Sequence, residues 1–169
     1  PLPLFLYNMP SHTKMSFEID TVLKLSQHQN IIGLKDSSAN SQYFQKLQYS
    51  LRRDPNFTLL VGPEEILAEA VLMGANGGVP GGANLFPELY VELYEAALIK
   101  DFSRLIPLHN LIMEISSSLY SIGSSQSSYL KGLKTALAES KLCENYLAMP
   151  LNSFSKTDKA TIANRLGRI

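Results

Sequence analysis

The stretch Asn30-Ile31-Ile32-Gly33-Leu34-Lys35-Asp36-Ser37-Ser38 is a short apolar run that ends on a lysine and then turns polar. Entered after Gln29-Asn30 and left through Asp-Ser-Ser, it predicts a buried parallel strand with Lys35 at its C-terminal end. Two readings of that lysine are open. Held out of water, an amine gives up its proton more readily and can attack a carbonyl carbon to form a Schiff base. Placed just past the strand end, it would instead bury its methylenes and extend its charge to solvent.

Outward from this stretch, apolar runs alternate with helical stripes. Pro1-Leu2-Pro3-Leu4-Phe5-Leu6-Tyr7 reads as a core strand and Asn8-Met9-Pro10-Ser11-His12-Thr13-Lys14 as a loop. Ser16 is the expected N-cap of a helix reaching about Gln27, with Phe17, Ile19, Val22, Leu23 and Leu25 on its apolar side. Beyond the Lys35 strand, Ser41 is the expected cap of a helix carrying Tyr43, Phe44, Leu47 and Leu51, broken at Asp54-Pro55-Asn56. Residues 57–61 predict a third strand ending at Gly62-Pro63. Glu64-Glu65 then open a short helix, where acidic side chains suit the N-terminal end of the helix dipole, and its apolar run stops at Gly74. A fourth strand, about 77–79, leads into Pro80-Gly81-Gly82-Ala83-Asn84.

Such alternation predicts an α/β fold with a parallel sheet and helices outside it. Four βα units are half of an eight-stranded (β/α)8 TIM barrel, which needs roughly 250 residues to close. The chain also opens without Met, directly in a core strand, which predicts that an N-terminal half belongs before it. From Phe86 onward only helices are expected, at 87–99, 103–120, 129–138 and 158–166, with the Ser/Gly-rich segment 121–128 as a hinge. Residues 1–100 are thus expected as half a barrel and 101–169 as a helical extension.

Composition narrows the partners. Of 169 residues, 45% are hydrophobic and 18% charged, as in a soluble globular protein. Fifteen basic and fifteen acidic side chains cancel, and no basic cluster exceeds Arg52-Arg53, so neither nucleic acid nor a membrane surface is expected as a partner. Small molecules and other subunits remain. The single Cys143 leaves no internal disulfide framework and suits the cytoplasm. His28, His109 and Cys143 lack ligand spacing, so no metal is expected, nor any cofactor. Gly77-Gly78-Val79-Pro80-Gly81-Gly82 lacks the Gly-Lys-Ser/Thr ending of a phosphate loop and reads as close backbone approach at a crowded strand end.

In parallel βα folds the functional groups sit at the C-terminal ends of strands. Tyr7 and Lys35 occupy such ends on consecutive strands, which lie about 4.8 Å apart. A phenol near that amine can carry protons to and from a carbinolamine. Alone, Tyr7 reads equally as core packing.

Taken together, Tyr7-Asn8-Met9-Pro10, Gly33-Leu34-Lys35-Asp36-Ser37, Gly62-Pro63-Glu64-Glu65, Gly74-Ala75-Asn76-Gly77-Gly78-Val79 and Ala83-Asn84-Leu85-Phe86-Pro87 resemble, in order and spacing, the dihydrodipicolinate synthase/N-acetylneuraminate lyase family of class I aldolases. The resemblance implies a (β/α)8 barrel with a C-terminal helical extension, usually tetrameric, in which pyruvate forms a Schiff base with lysine. This chain would be the C-terminal part, beginning at the fifth strand. It would lack the family's Gly-Thr/Ser-Thr loop and, by itself, activity. By position, Lys35 resembles the Schiff-base lysine, Tyr7 the proton-relay tyrosine, and Val79 the residue whose backbone faces pyruvate. Ser37, Gly62, Glu64, Glu65, Pro80 and Gly81 fall where family members contact the rest of the substrate.

His12 stands where the synthases usually carry an arginine, and a neutral imidazole is a poor substitute for a bidentate fork on a second carboxylate. Glu64-Glu65 resembles the carboxylate loop of neuraminate lyases that accepts bonds from sugar hydroxyls. The expected reaction is therefore formation or cleavage of a 2-keto-3-deoxy sugar acid or neuraminate-like acid, with pyruvate as one product. The alternatives are condensation of pyruvate with aspartate semialdehyde, or binding of a 2-oxo acid without catalysis.

Overall fold

The computed structural model describes residues 2–123 and 127–169. Four strands, β1 (Leu4–Asn8), β2 (Ile31–Asp36), β3 (Thr58–Val61) and β4 (Gly77–Gly78), form one sheet in the order β1-β2-β3-β4. Every pairing is parallel. Between and after the strands run α1 (Pro10–Thr13), α2 (Ile19–Leu25), α3 (Ser41–Leu51), α4 (Leu67–Leu72) and α5 (Pro87–Leu98). Three further helices, α6 (Phe102–Leu119), α7 (Ser128–Glu139) and α8 (Lys156–Leu166), follow. Among the described residues no helix is long and apolar enough to cross a membrane.

Register decides which side chains share a face. Tyr7 pairs with Lys35, Lys35 with Leu60, and Leu60 with Gly77, so these four positions lie on one side of the sheet. Leu34, Leu59 and Val61 project to the other side, where they are buried with Val22 of α2, Phe44 and Leu47 of α3, Val71 of α4 and Leu93 of α5. The helices therefore cover a single face. The opposite face stays open, with Phe5 42%, Tyr7 50% and Val79 49% exposed. Phe5 lies over Gly33, where a Cβ would come within 2.3 Å of its ring.

The predicted helices lie where the sequence places them, with shifted ends and different caps. Ser16 does not cap α2; its hydroxyl donates to Asn8 Oδ1 at 3.3 Å, and the helix starts at Ile19. Asn40 rather than Ser41 caps α3, its Oδ1 accepting from the Tyr43 N–H at 3.0 Å. Pro10–Thr13 is one helical turn where a loop was expected, with Pro10 at the first position, which needs no N–H donor. The turn Glu64–Ile66 is 3₁₀ and runs directly into α4, which stops before Gly74 in the left-handed region at φ 101°. Residues 124–126 of the expected hinge lie outside the described residues.

Helices α6 to α8, with Leu85 from the segment before α5, make a second core of Leu85, Ile115, Leu119, Leu133, Ala136 and Ile162. α7 comes close to the end of α6 at Gly132, where a Cβ would fall 2.1 Å from the Leu119 carbonyl oxygen. A backbone atom cannot swing aside as a side chain can. Gly132→Ala should therefore cost about 1–3 kcal/mol in urea unfolding, whereas Gly167→Ala, whose Cβ meets nothing nearer than 3.6 Å, should stay within about 0.5 kcal/mol. Equal effects at the two positions would show that α6 and α7 are not packed this closely.

Candidate active site

The C-terminal ends of β1 and β2 carry Tyr7 and Lys35 side by side. The Lys35 Nζ stands 4.6 Å from the Tyr7 ring centroid, over the ring. Lys35 is half-buried on the open face. The Tyr7 hydroxyl donates to Met9 Sδ at 2.8 Å.

Behind this pair, on the covered face, Asn8 and Asp36 are buried, at 1% and 0% exposure. The Asn8 amide donates to Asp36 Oδ1 at 2.7 Å, and its oxygen accepts from the Phe17 N–H at 3.1 Å. Asp36 also accepts from the Ser38 hydroxyl at 2.8 Å and the Ser38 N–H at 3.2 Å. The backbones join as well, Ser37 N–H to the Asn8 carbonyl and Gly62 N–H to the Asp36 carbonyl. These bonds lock the strand ends, and with them the register that sets Lys35 against Tyr7. In the sequence, Asn8 and Asp36 stand out only as motif neighbours of Tyr7 and Lys35. Their polarity one position past each candidate residue was the available signal, since a polar side chain facing the helix layer must find a partner.

The remaining candidates divide. Ser37 and Gly62 adjoin, a Cβ on Gly62 falling 2.1 Å from Ser37 Oγ. Val79 extends the ladder through its N–H to the Val61 carbonyl at 2.8 Å and, two residues beyond Gly77, shares the face of Lys35. Pro80 and Gly81 follow it, half-buried. His12 is exposed on α1, with Nδ1 3.1 Å from the Ser11 hydroxyl.

The two glutamates, candidates for substrate contact, each accept from donors of the protein itself. Glu64 is 2% exposed and accepts from Gly82 N–H at 2.8 Å, Tyr90 hydroxyl at 2.7 Å and Tyr129 hydroxyl at 3.3 Å. Burial pushes its carboxyl above the ordinary range, aided by the Glu65 charge and opposed by the Tyr90, Gly82 and Tyr129 donors. Glu65 accepts from the Ser116 hydroxyl of α6 and lines the groove between α4 and α6 with Phe102 and His109. Tyr90 and Tyr129 were not singled out from the sequence, and nothing in the linear order links them to Glu64. A separate groove of about 380 Å³ runs along β4 between Leu60, Gly77, Pro80, Tyr90 and Tyr94.

Comparison with known proteins agrees with this architecture. The Dihydrodipicolinate synthetase family model matches residues 1–168. The 4-hydroxy-tetrahydrodipicolinate synthase of Methanosarcina mazei is 26% identical over 168 residues, covering 99% of this chain and 56% of that protein. The dihydrodipicolinate synthase structure from Bacteroides thetaiotaomicron superposes with a TM-score of 0.96 at 49% identity, over 100% of this chain and 57% of that one. A 2-keto-3-deoxygluconate aldolase from Sulfolobus, solved with D-KDPG, shares the fold at a TM-score of 0.81 and 19% identity, over 98% of this chain and 53% of its own. The chain thus spans little more than half the length of these relatives. With a family match along nearly its whole length, and an α/β architecture common to the solved relatives, the chain belongs to the dihydrodipicolinate synthetase family.

Proposed function

We propose that this chain carries the Schiff-base lysine of a pyruvate-dependent class I aldolase, within a protein whose barrel it completes from the fifth strand onward. Residues 1–100 would supply the second half of that (β/α)8 barrel and 101–169 its helical extension, in a homo-oligomer, by resemblance a tetramer. The observation that carries the reading is the pairing of Tyr7 with Lys35 on adjacent strand ends, Nζ 4.6 Å from the ring centroid, on the open face of the sheet. There the neutral amine of Lys35 adds to the ketone carbon of pyruvate. The resulting carbinolamine loses its hydroxyl as water after receiving a proton, and the Tyr7 phenol is placed to pass that proton once it leaves Met9. Loss of a methyl proton from the iminium gives the enamine that attacks an aldehyde. Val79, Ser37, Gly62, Pro80 and Gly81 would border the bound acid.

The acceptor is better argued from what the glutamates do. Preference for a sugar acid rested on His12 and on Glu64-Glu65 as readers of hydroxyls. Glu64 is instead engaged by Gly82, Tyr90 and Tyr129, and Glu65 by Ser116, which withdraws half of that case. The 49% identical relative, a dihydrodipicolinate synthase, adds weight to the other side. The reading best supported is condensation of pyruvate with aspartate semialdehyde. Cleavage of a 2-keto-3-deoxy sugar acid is the second reading, favoured by His12 in the place of arginine.

In the intact protein, borohydride with pyruvate should leave a covalent adduct on Lys35, and Lys35→Ala should abolish it. Trapping on another lysine would end this assignment. Tyr7→Phe should slow turnover about 10²-fold; an unchanged rate would return Tyr7 to a packing role. Assayed on one preparation, aspartate semialdehyde should show the higher kcat/KM against a 2-keto-3-deoxy sugar acid, and the reverse order would restore the sugar-acid reading.

A further inference from the structure

The Glu64 carboxylate is buried and surrounded by donors from three separate segments. One is the backbone N–H of Gly82, in the 3₁₀ turn Gly81–Asn84 that follows Val79 and Pro80. The others are the hydroxyls of Tyr90 on α5 and Tyr129 on α7. The turn admits no side chain on this side. A Cβ at Gly81 would fall 1.9 Å from the Tyr129 hydroxyl oxygen, and one at Gly82 would fall 2.0 Å from that of Tyr90. The two phenols thus abut the turn's backbone while the carboxylate holds its amide.

We propose that Glu64 is a positioning residue, a clasp that fixes the backbone from Val79 to Gly82 against α5 and α7 and so sets the wall that Val79 gives to the face bearing Lys35. The proposal rests on the reading of Lys35 as the Schiff-base lysine and gives the site a proton-sensitive support. The titratable groups that face Glu64 are Glu65 on its own turn, Tyr90 on α5, Tyr120 at the end of α6 and Tyr129 on α7. Burial, with the Glu64 charge next, pushes all three tyrosines upward, so they remain neutral donors near pH 7. Glu64 is shifted in the same direction, and for the same first cause. Its folded carboxyl titrates above the ordinary glutamate range, so the stability linked to it is fully present below that range and is lost as pH rises through the raised folded value.

The test compares the intact wild-type protein with Glu64→Gln, Glu64→Ala and Tyr90→Phe. Amide hydrogen exchange in residues 79–84 should quicken about tenfold in Glu64→Ala, as expected for losing one buried bond, while residues 4–8 and 31–36 keep their rates. Glu64→Gln retains an acceptor for Gly82 and should stay near the wild-type rate. The pyruvate concentration giving half-maximal borohydride trapping should rise about tenfold in Glu64→Ala and be restored in Glu64→Gln. As pH rises, the wild-type Tm should fall relative to that of Glu64→Gln. Exchange that is unchanged, or faster throughout the chain, overturns the clasp; faster exchange with unchanged pyruvate saturation overturns its link to the pocket. If the wild type traps no pyruvate at all, the Schiff-base reading fails while exchange still decides the clasp. Should Glu64→Ala fail to fold, Tyr90→Phe, which removes one donor and keeps the ring, must show the same local quickening, and its absence counts against the proposal.

Discussion

The hydrogen bond from the Asn8 amide to the Asp36 carboxylate, 2.7 Å long and fully buried, is the constraint on which the arrangement of the strand ends depends. Two polar groups facing a helix layer have no water to turn to, so each must find its partners within the protein. Their meeting is possible in only one register of β1 on β2. A slip by one residue would turn Asn8 toward the open face and take its amide from Asp36. The same register carries Tyr7 to Lys35, one residue earlier on each strand. The pairing of Tyr7 with Lys35 on the open face is therefore specified from behind, by buried side chains of the covered face.

A comparable division holds at the other side of the sheet. β4 is two residues long and made of glycine, so it has no side chains with which to anchor itself. What holds the following turn comes from elsewhere: Glu64 ahead of it, and Tyr90 and Tyr129 after it. The helical layer thus does for β4 what Asn8 and Asp36 do for β1 and β2. Carboxylates serve in both places, because one can accept several bonds at once from donors of different origin.

The sheet was legible because its signals are short and local. Runs such as Ile31–Asp36 and Thr58–Val61, punctuated by Gly62-Pro63 and Gly74, carry strand and turn chemistry within a few residues. Lys35 and Tyr7 could be picked out since each ends such a run. Caps were harder: Asn40 and Ser41 are both good capping residues, and only the direction of the Asn40 side chain chooses between them. The glutamates show where sequence reasoning stops. Glu64 stands beside a candidate loop, and its type alone suits either a substrate hydroxyl or a protein donor. Its partners Tyr90 and Tyr129 lie 26 and 65 residues away, a distance no local pattern spans.

The order of strands in the sheet follows their order in the chain, and this has a consequence in time. Asn8 and Asp36 are 28 residues apart, and each later strand joins the one just before it, so the ladder can grow by successive closure of modest loops. Helices α7 and α8 reach back much farther: Tyr129 to Glu64 across 65 residues, and the Arg165 guanidinium to the Ser118 carbonyl across 47. Loop-closure entropy delays such contacts relative to the near ones. The sheet, with Tyr7 already beside Lys35, would be the early product, and the wall beside it would gain its final shape only when the C-terminal helices arrive.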